Sequence, residues 1–159
     1  MSSTDPLTTA MTNASPTDLV VVDTNVLITA TSRARTAHRE ALDLLNFDTR
    51  RLAITSQIMR EYLATATRPA EANGLGMSGA FAVENLDQLL EDMVLLPENS
   101  ASASRLKHMI QRENAQGKQV HDANVVAVAL EHGANAIVTA NIRHFQRFSD
   151  LIAIEPLRE

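Results

Sequence analysis

Cysteine is absent from this 159-residue chain. That excludes a disulfide framework, a thiolate zinc site and a thiol nucleophile. Tryptophan is also absent, tyrosine occurs once, and aromatic residues make up 3% of the total. A platform that stacks single-stranded bases on aromatic rings is therefore not available. Positive charge is short as well: 14 Lys+Arg stand against 19 Asp+Glu, for a net charge of −5. Any contact with nucleic acid must come from local basic patches or a bound cation, because the chain as a whole repels phosphate. No apolar run is long enough to span a bilayer, and no signal-peptide pattern opens the sequence. A cytoplasmic protein is the expectation.

What is present is ordinary for a globular domain, with 45% hydrophobic and 21% charged residues. The length suits one domain with a proper core. Residues 1–17 are rich in Ser, Thr, Pro, Asn and Ala and carry no apolar period, which predicts a flexible tail before a single domain over 18–159. Met11 is a second candidate start. From Leu19 onward strand and helix patterns alternate. Leu19–Val22 reads as a strand and Val26–Thr31 as a helix or turn; Thr36–Phe47 is helical. A short strand at Leu52–Ile54 precedes a helix capped by Ser56 and running to about Thr67, stopped by Pro69. After a loop over 69–78 come a helix around Phe81–Leu90 and a strand at Val94–Leu96. A helix over Ala101–Gln116, stopped by Gly117, is followed by another over Asp122–His132, ended by Gly133. Strands at Ala136–Val138 and Leu151–Ile154 close the pattern. This βα alternation predicts an α/β fold, a three-layer α/β/α sandwich around a mainly parallel sheet of four to five strands.

Asp23 is the most informative residue. It follows the apolar run Leu19-Val20-Val21-Val22, the composition of a strand buried on both faces. A carboxylate just beyond such a strand emerges at the carboxyl edge of the sheet, where open α/β folds hold their ligands. Glu61 lies on the helix after the second strand, one face with Gln57, and Asp122 lies in the first turn of its own helix, where the macrodipole favours an anion. Each alone has a plainer explanation: a turn former, a solvated acid, a helix-start charge. All three fit one location, where they repel one another unless a cation lies between them. Oxygen donors point to Mg²⁺ or Mn²⁺. Thr139 and Asn141 follow another buried strand and are placed to hydrogen-bond the carboxylates or bound water, with Asn141 as a further candidate helix cap.

Asp23-Thr24-Asn25, Glu61 after Gln57, His121-Asp122-Ala123-Asn124 and Thr139-Ala140-Asn141-Ile142-Arg143-His144-Phe145, in this order, resemble the motifs of PIN-domain ribonucleases, particularly the VapC toxins of type II toxin–antitoxin pairs. The likeness runs from about residue 18 to 157. It implies a Mg²⁺-dependent endoribonuclease (Mn²⁺ as a plausible substitute) that inhibits translation. It further implies Asp23, Glu61 and Asp122 as catalytic acids, Asp23 and Asp122 as metal ligands, and Asn25, Thr139 and Asn141 as supports of the ligand geometry. A small antitoxin covering the acidic pocket and a homodimer are the partners it implies. Many PIN domains carry a fourth acid where this chain has Asn141; a neutral amide binds a second cation less well.

Three basic groups are candidate RNA contacts: Arg33, Arg35, His38 and Arg39; Arg105, Lys107, His108, Arg112 and Lys118; and Arg143, His144 and Arg147. Of these Arg33, Arg35, Lys118 and Arg143 are foremost. The five histidines show no paired zinc spacing. Two rival readings exist. A metal-dependent phosphatase of the haloacid-dehalogenase kind also has an Asp after its first strand, but expects a second acid where Asn25 stands. A non-catalytic PIN-like or receiver-like binding module has no use for all three acids.

Overall fold

Four consecutive residues with no exposed face make the first strand, and the rest of the sheet is built around it. In the computed structural model, which describes residues 18–157, β1 (Leu19–Val22) is buried at every position. On one side it pairs in parallel with β2 (Arg51–Thr55), and on the other with β4 (Ala136–Thr139). β3 (Met93–Leu96) extends the sheet beyond β2, and β5 (Ala153–Pro156) beyond β4. The order is β3-β2-β1-β4-β5 and all four pairings are parallel, so the sheet has five strands and no antiparallel member among the described residues. The three central strands are the most apolar because both their faces are covered.

Six α-helices make the crossovers: α1 (Thr24–Thr31), α2 (His38–Phe47), α3 (Ser56–Thr67), α4 (Gly79–Leu89), α5 (Ser100–Glu113) and α6 (Gln119–Glu131). α1 packs on α2 and α3, and α3 packs on α4, while α5 packs on α6. Right-handed crossovers that run outward from β1 to β3 and then return to β4 put the first four helices on one face and the last two on the other. α6 is apolar nearly all round, with Ala123 and Val125 through Ala129 buried, as a helix pressed between sheet and α5 must be. Tyr62 is wholly buried, its hydroxyl bonded to Thr31 Oγ1 (3.1 Å) and to Asn85.

Several boundaries differ from the sequence reading. α1 starts directly at Thr24, because the Asp23 side chain accepts from the Thr24 N–H and caps it. Thr55, not Ser56, caps α3 by accepting from the Ile58 N–H at 3.2 Å; the strand runs one residue further than predicted and its last hydroxyl does the capping. α5 ends at Asn114, which takes the left-handed conformation (φ 48°) three residues before Gly117. α6 starts at Gln119, three residues ahead of Asp122. Gly133 does end α6, with φ 75°. The tail predicted over residues 1–17 lies outside the described residues. No helix among the described residues is long and apolar enough to cross a membrane.

Candidate functional site

The register of β1 against β4 builds the centre of the site. Val22 stands opposite Val138, so the next residue on each strand, Asp23 and Thr139, meet just past the carboxyl edge. The Asp23 N–H donates to the Val138 carbonyl (2.9 Å) and the Thr139 hydroxyl donates to Asp23 Oδ2 (2.8 Å). β1 and β4 flank the point where the chain direction reverses: β2 lies on one side of β1, and β4, reached only after β3, on the other. Crevices at such a switch point hold ligands in open α/β sheets.

Asp23 is only 7% exposed. Its Oδ1 accepts from the Thr24 N–H (2.8 Å) at the head of α1. Burial pushes its carboxyl up from an ordinary 3.8 to about 6, against the two hydrogen bonds, and the charges of Glu61 and Asp122 push the same way. Asp122, half-buried near the start of α6, is also raised, first by desolvation; Glu61 adds to this, while His144, His121 and Arg147 oppose it. The three acids predicted from sequence thus feel one another's charge, and among the described residues none of them forms an ion pair.

Glu61 is held from two helices. Thr24 Oγ1 donates to its Oε2 (2.8 Å) from α1, and Gln57 Nε2 donates to its Oε1 (2.9 Å) one turn back on α3. Gln57 is buried and bonded at both ends of its amide: Nε2 also donates to the His121 carbonyl (3.0 Å), and Oε1 accepts from Asn124 Nδ2 (2.8 Å). Asn124 reaches on to Glu98 (3.0 Å), which pairs with Arg60 at 3.4 Å. A continuous hydrogen-bonded chain therefore runs from Thr139 through Asp23, Thr24, Glu61, Gln57 and Asn124 to Glu98, joining α1, α3 and α6 at the sheet edge. Thr24, Asn124 and Glu98 were absent from the candidate residues of the sequence. Thr24 and Asn124 lie inside the Asp23-Thr24-Asn25 and His121-Asp122-Ala123-Asn124 motifs, and the four-residue spacing puts Gln57 on the Glu61 face; no sequence signal marks Glu98.

The remaining candidates divide. Asn25 is brought into the site as a brace: its Nδ2 donates to Thr139 Oγ1 (3.3 Å) and its Oδ1 accepts from the Ala140 N–H (3.0 Å). The Asn141 side chain meets neither the carboxylates nor a helix end. Its Nδ2 lies 3.0 Å from His144 Nε2 and only its backbone N–H joins the site, donating to Thr139 Oγ1 (3.0 Å). The following element is a single 3-10 turn, Ile142–His144, with no side-chain cap. Arg33, Arg35, Lys118 and Arg143 are exposed. Arg105 is tied to Glu131, Arg112 to Glu113 and Asp150, and His38 to the Thr29 carbonyl, so those basic groups are smaller than the sequence counts them.

As the side chains stand, no three His, Cys, Asp or Glu residues among the described residues are close enough together to ligate one ion. The donor chemistry still fits a hard divalent cation: carboxylate oxygens gather here, the charges of Glu61 and Asp122 add to the rise of the Asp23 pKa, and no salt bridge neutralises the three acids among the described residues. Mg²⁺ needs only one or two carboxylates because it retains several waters.

A buried parallel sheet with acids gathered at its switch point defines the class. The sequence matches the PIN domain family over residues 20–151, and the chain belongs to that family. No curated protein matches the sequence. Among solved structures the fold is shared with a chain of VapBC2 from Rickettsia felis, bound to a DNA fragment from their promoter (TM-score 0.64, 17% identity, covering 87% of this chain and 98% of that one). It is shared likewise with VapBC-1 from nontypeable Haemophilus influenzae (TM-score 0.62, 17% identity, 89% and 99%). A third is VapC20 from Mycobacterium tuberculosis, described as a sarcin-ricin loop cleaving toxin (TM-score 0.57, 14% identity, 74% and 86%).

Proposed function

We propose that this chain is a Mg²⁺-dependent endoribonuclease, the toxin of a toxin–antitoxin pair that acts on cytoplasmic RNA to inhibit translation. The observation that carries the reading is the gathering of Asp23, Glu61 and Asp122 at the β1–β4 switch point, none of them in a salt bridge among the described residues. Family membership and the fold shared with VapBC toxins support it.

Asp23 and Asp122 would hold the ion, with Mn²⁺ as a substitute. A bound Mg²⁺ supplies polarisation of a phosphoryl oxygen and a water of lowered pKa. Thr139 fixes the Asp23 carboxylate and Asn25 fixes Thr139, so the ligand keeps its orientation. Glu61, held at both oxygens by Thr24 and Gln57, orients the attacking water and takes its proton. Arg33, Arg35, Lys118 and Arg143 meet the RNA backbone, while Asn141 acts only through its backbone N–H. The acidic pocket offers a binding place for an Arg or Lys of a small antitoxin; the active form is a homodimer.

The test is cleavage of a pool of structured cellular RNAs by purified protein in Mg²⁺, in EDTA, and with Asp23→Ala. Cuts that need both the metal and Asp23 are expected. Cutting that persists in EDTA contradicts the mechanism, and absence of both cutting and metal binding turns the reading toward a binding module.

A further inference from the structure

Beside the acids lies a second feature that the candidate RNA contacts do not include. A cleft of about 310 Å³ is lined by Gln57, Arg60, Glu61 and His121. Its walls differ sharply in what they can offer. Gln57 has no donor left, since its amide N–H groups are taken by Glu61 and the His121 carbonyl, and its oxygen already accepts from Asn124. Glu61 has both carboxylate oxygens engaged, by Thr24 and Gln57. The groups left to meet a ligand are the Arg60 guanidinium and the exposed His121 ring, a cation and an N–H donor.

Arg60 is restrained without being neutralised. Its pair with Glu98 spans 3.4 Å, and the two side chains are 60% and 41% exposed. An exposed pair of that length contributes little, so a phosphate can take the guanidinium over at little cost. Glu98 is itself held by Asn124 (3.0 Å), which keeps the guanidinium near the cleft mouth. Arg60 and Glu61 line the same cleft, so a backbone phosphate bound there sits next to the one under attack. The volume is at the small end for a ligand site and suits one nucleotide's phosphate and sugar. A contact to a backbone phosphate positions the strand and carries no sequence information.

We infer that Arg60 and His121 form a subsite for the RNA phosphate adjacent to the scissile one, a contact that sets affinity and register without base preference. The inference rests on the ribonuclease reading above.

The experiment measures binding of a short mixed-sequence fluorescent RNA by anisotropy, with Ca²⁺ in place of Mg²⁺, across a salt series. It is paired with kcat and KM for cleavage in Mg²⁺. Arg60→Ala is expected to weaken binding about tenfold and to reduce the salt slope by about one. KM should rise to match while kcat stays within about twofold. Arg60→Lys restores most of the affinity because a phosphate accepts a point charge, and His121→Ala weakens binding by less. Arg51→Ala, an equal loss of charge at the opposite edge of the sheet, leaves binding unchanged. Equal binding by wild type and Arg60→Ala overturns the subsite and leaves the nuclease standing. A wild-type protein that neither binds nor cuts RNA overturns both.

Discussion

Two groups of carboxylates in this molecule have opposite fates. At the β5 side, Arg50 grips Asp48 with two nitrogens (3.0 and 2.8 Å) and Glu155 with a third (2.8 Å), joining the α2–β2 turn to the edge strand. Hydrogen bonding to Arg50 holds the Asp48 carboxyl below its usual range, and the same contacts drive Arg50 upward. At the switch point Asp23, Glu61 and Asp122 have no such partner, and burial pushes Asp23 up to about 6. A carboxylate placed for stability comes with its counter-charge. The acids at the switch point leave that position to be filled, as the proposed metal site requires. Size does not mark the difference: the cleft lined by Asp48, Arg50 and Glu155 has about 1020 Å³, the one beside Glu61 about 310 Å³.

The comparison breaks most visibly on activity. Asp23→Ala removes the centre of the acidic group and should lower RNA cleavage by two to three orders of magnitude, about 3–4 kcal/mol of transition-state stabilisation, read in single-turnover assays. The melting transition should remain cooperative.

pH separates the two groups by sign. In EDTA, folded Asp23 holds its proton up to about pH 6, whereas the unfolded chain releases it near 3.8. Between those values the folded state binds more protons, so this residue's contribution to stability falls as pH rises, by up to about 3 kcal/mol. Asp48 runs the other way: its contribution is present above its unfolded pKa and is lost as pH falls through the lower folded value. Urea unfolding of Asp23→Ala and Asp48→Ala beside wild type should therefore give difference curves of opposite slope, the first between pH 4 and 6 and the second below 4.

Arg50→Ala should cost about 2–3 kcal/mol in urea unfolding, because it strips Asp48 of its counter-charge and unties β5. Metal-dependent cleavage at temperatures well below the melt should be unchanged. Thr139→Val keeps the shape of β4 but deletes the hydroxyl that fixes Asp23. A roughly tenfold loss of cleavage is expected, with a comparable weakening of metal affinity.

Much of the site was legible because strand register carries it. Asp23 and Thr139 each follow a buried apolar run, and parallel pairing of those runs makes their meeting a consequence of the pattern. Asp122 was legible from its place in the first turn of α6. What the pattern could not carry was the wiring. Thr24 reaches Glu61 across 37 residues and Asn124 reaches Gln57 across 67, contacts that depend on how α1, α3 and α6 lean together at the sheet edge. The cap expected at Asn141 fails for a related reason, since a single 3-10 turn gives its side chain no helix end to cap and His144 lies within reach. The basic groups are smaller than their sequence count because Glu131, the partner of Arg105, and Asp150, one of the two partners of Arg112, lie far along the chain.

The most direct measurement is a calorimetric titration of the metal-free protein with Mg²⁺ and Mn²⁺, repeated on Asp23→Ala and on Arg50→Ala. Saturable binding that is lost in Asp23→Ala and kept in Arg50→Ala is the result expected if the unpaired acids are completed by a divalent cation. Absence of binding to the wild-type protein, or binding that survives in Asp23→Ala, would contradict it.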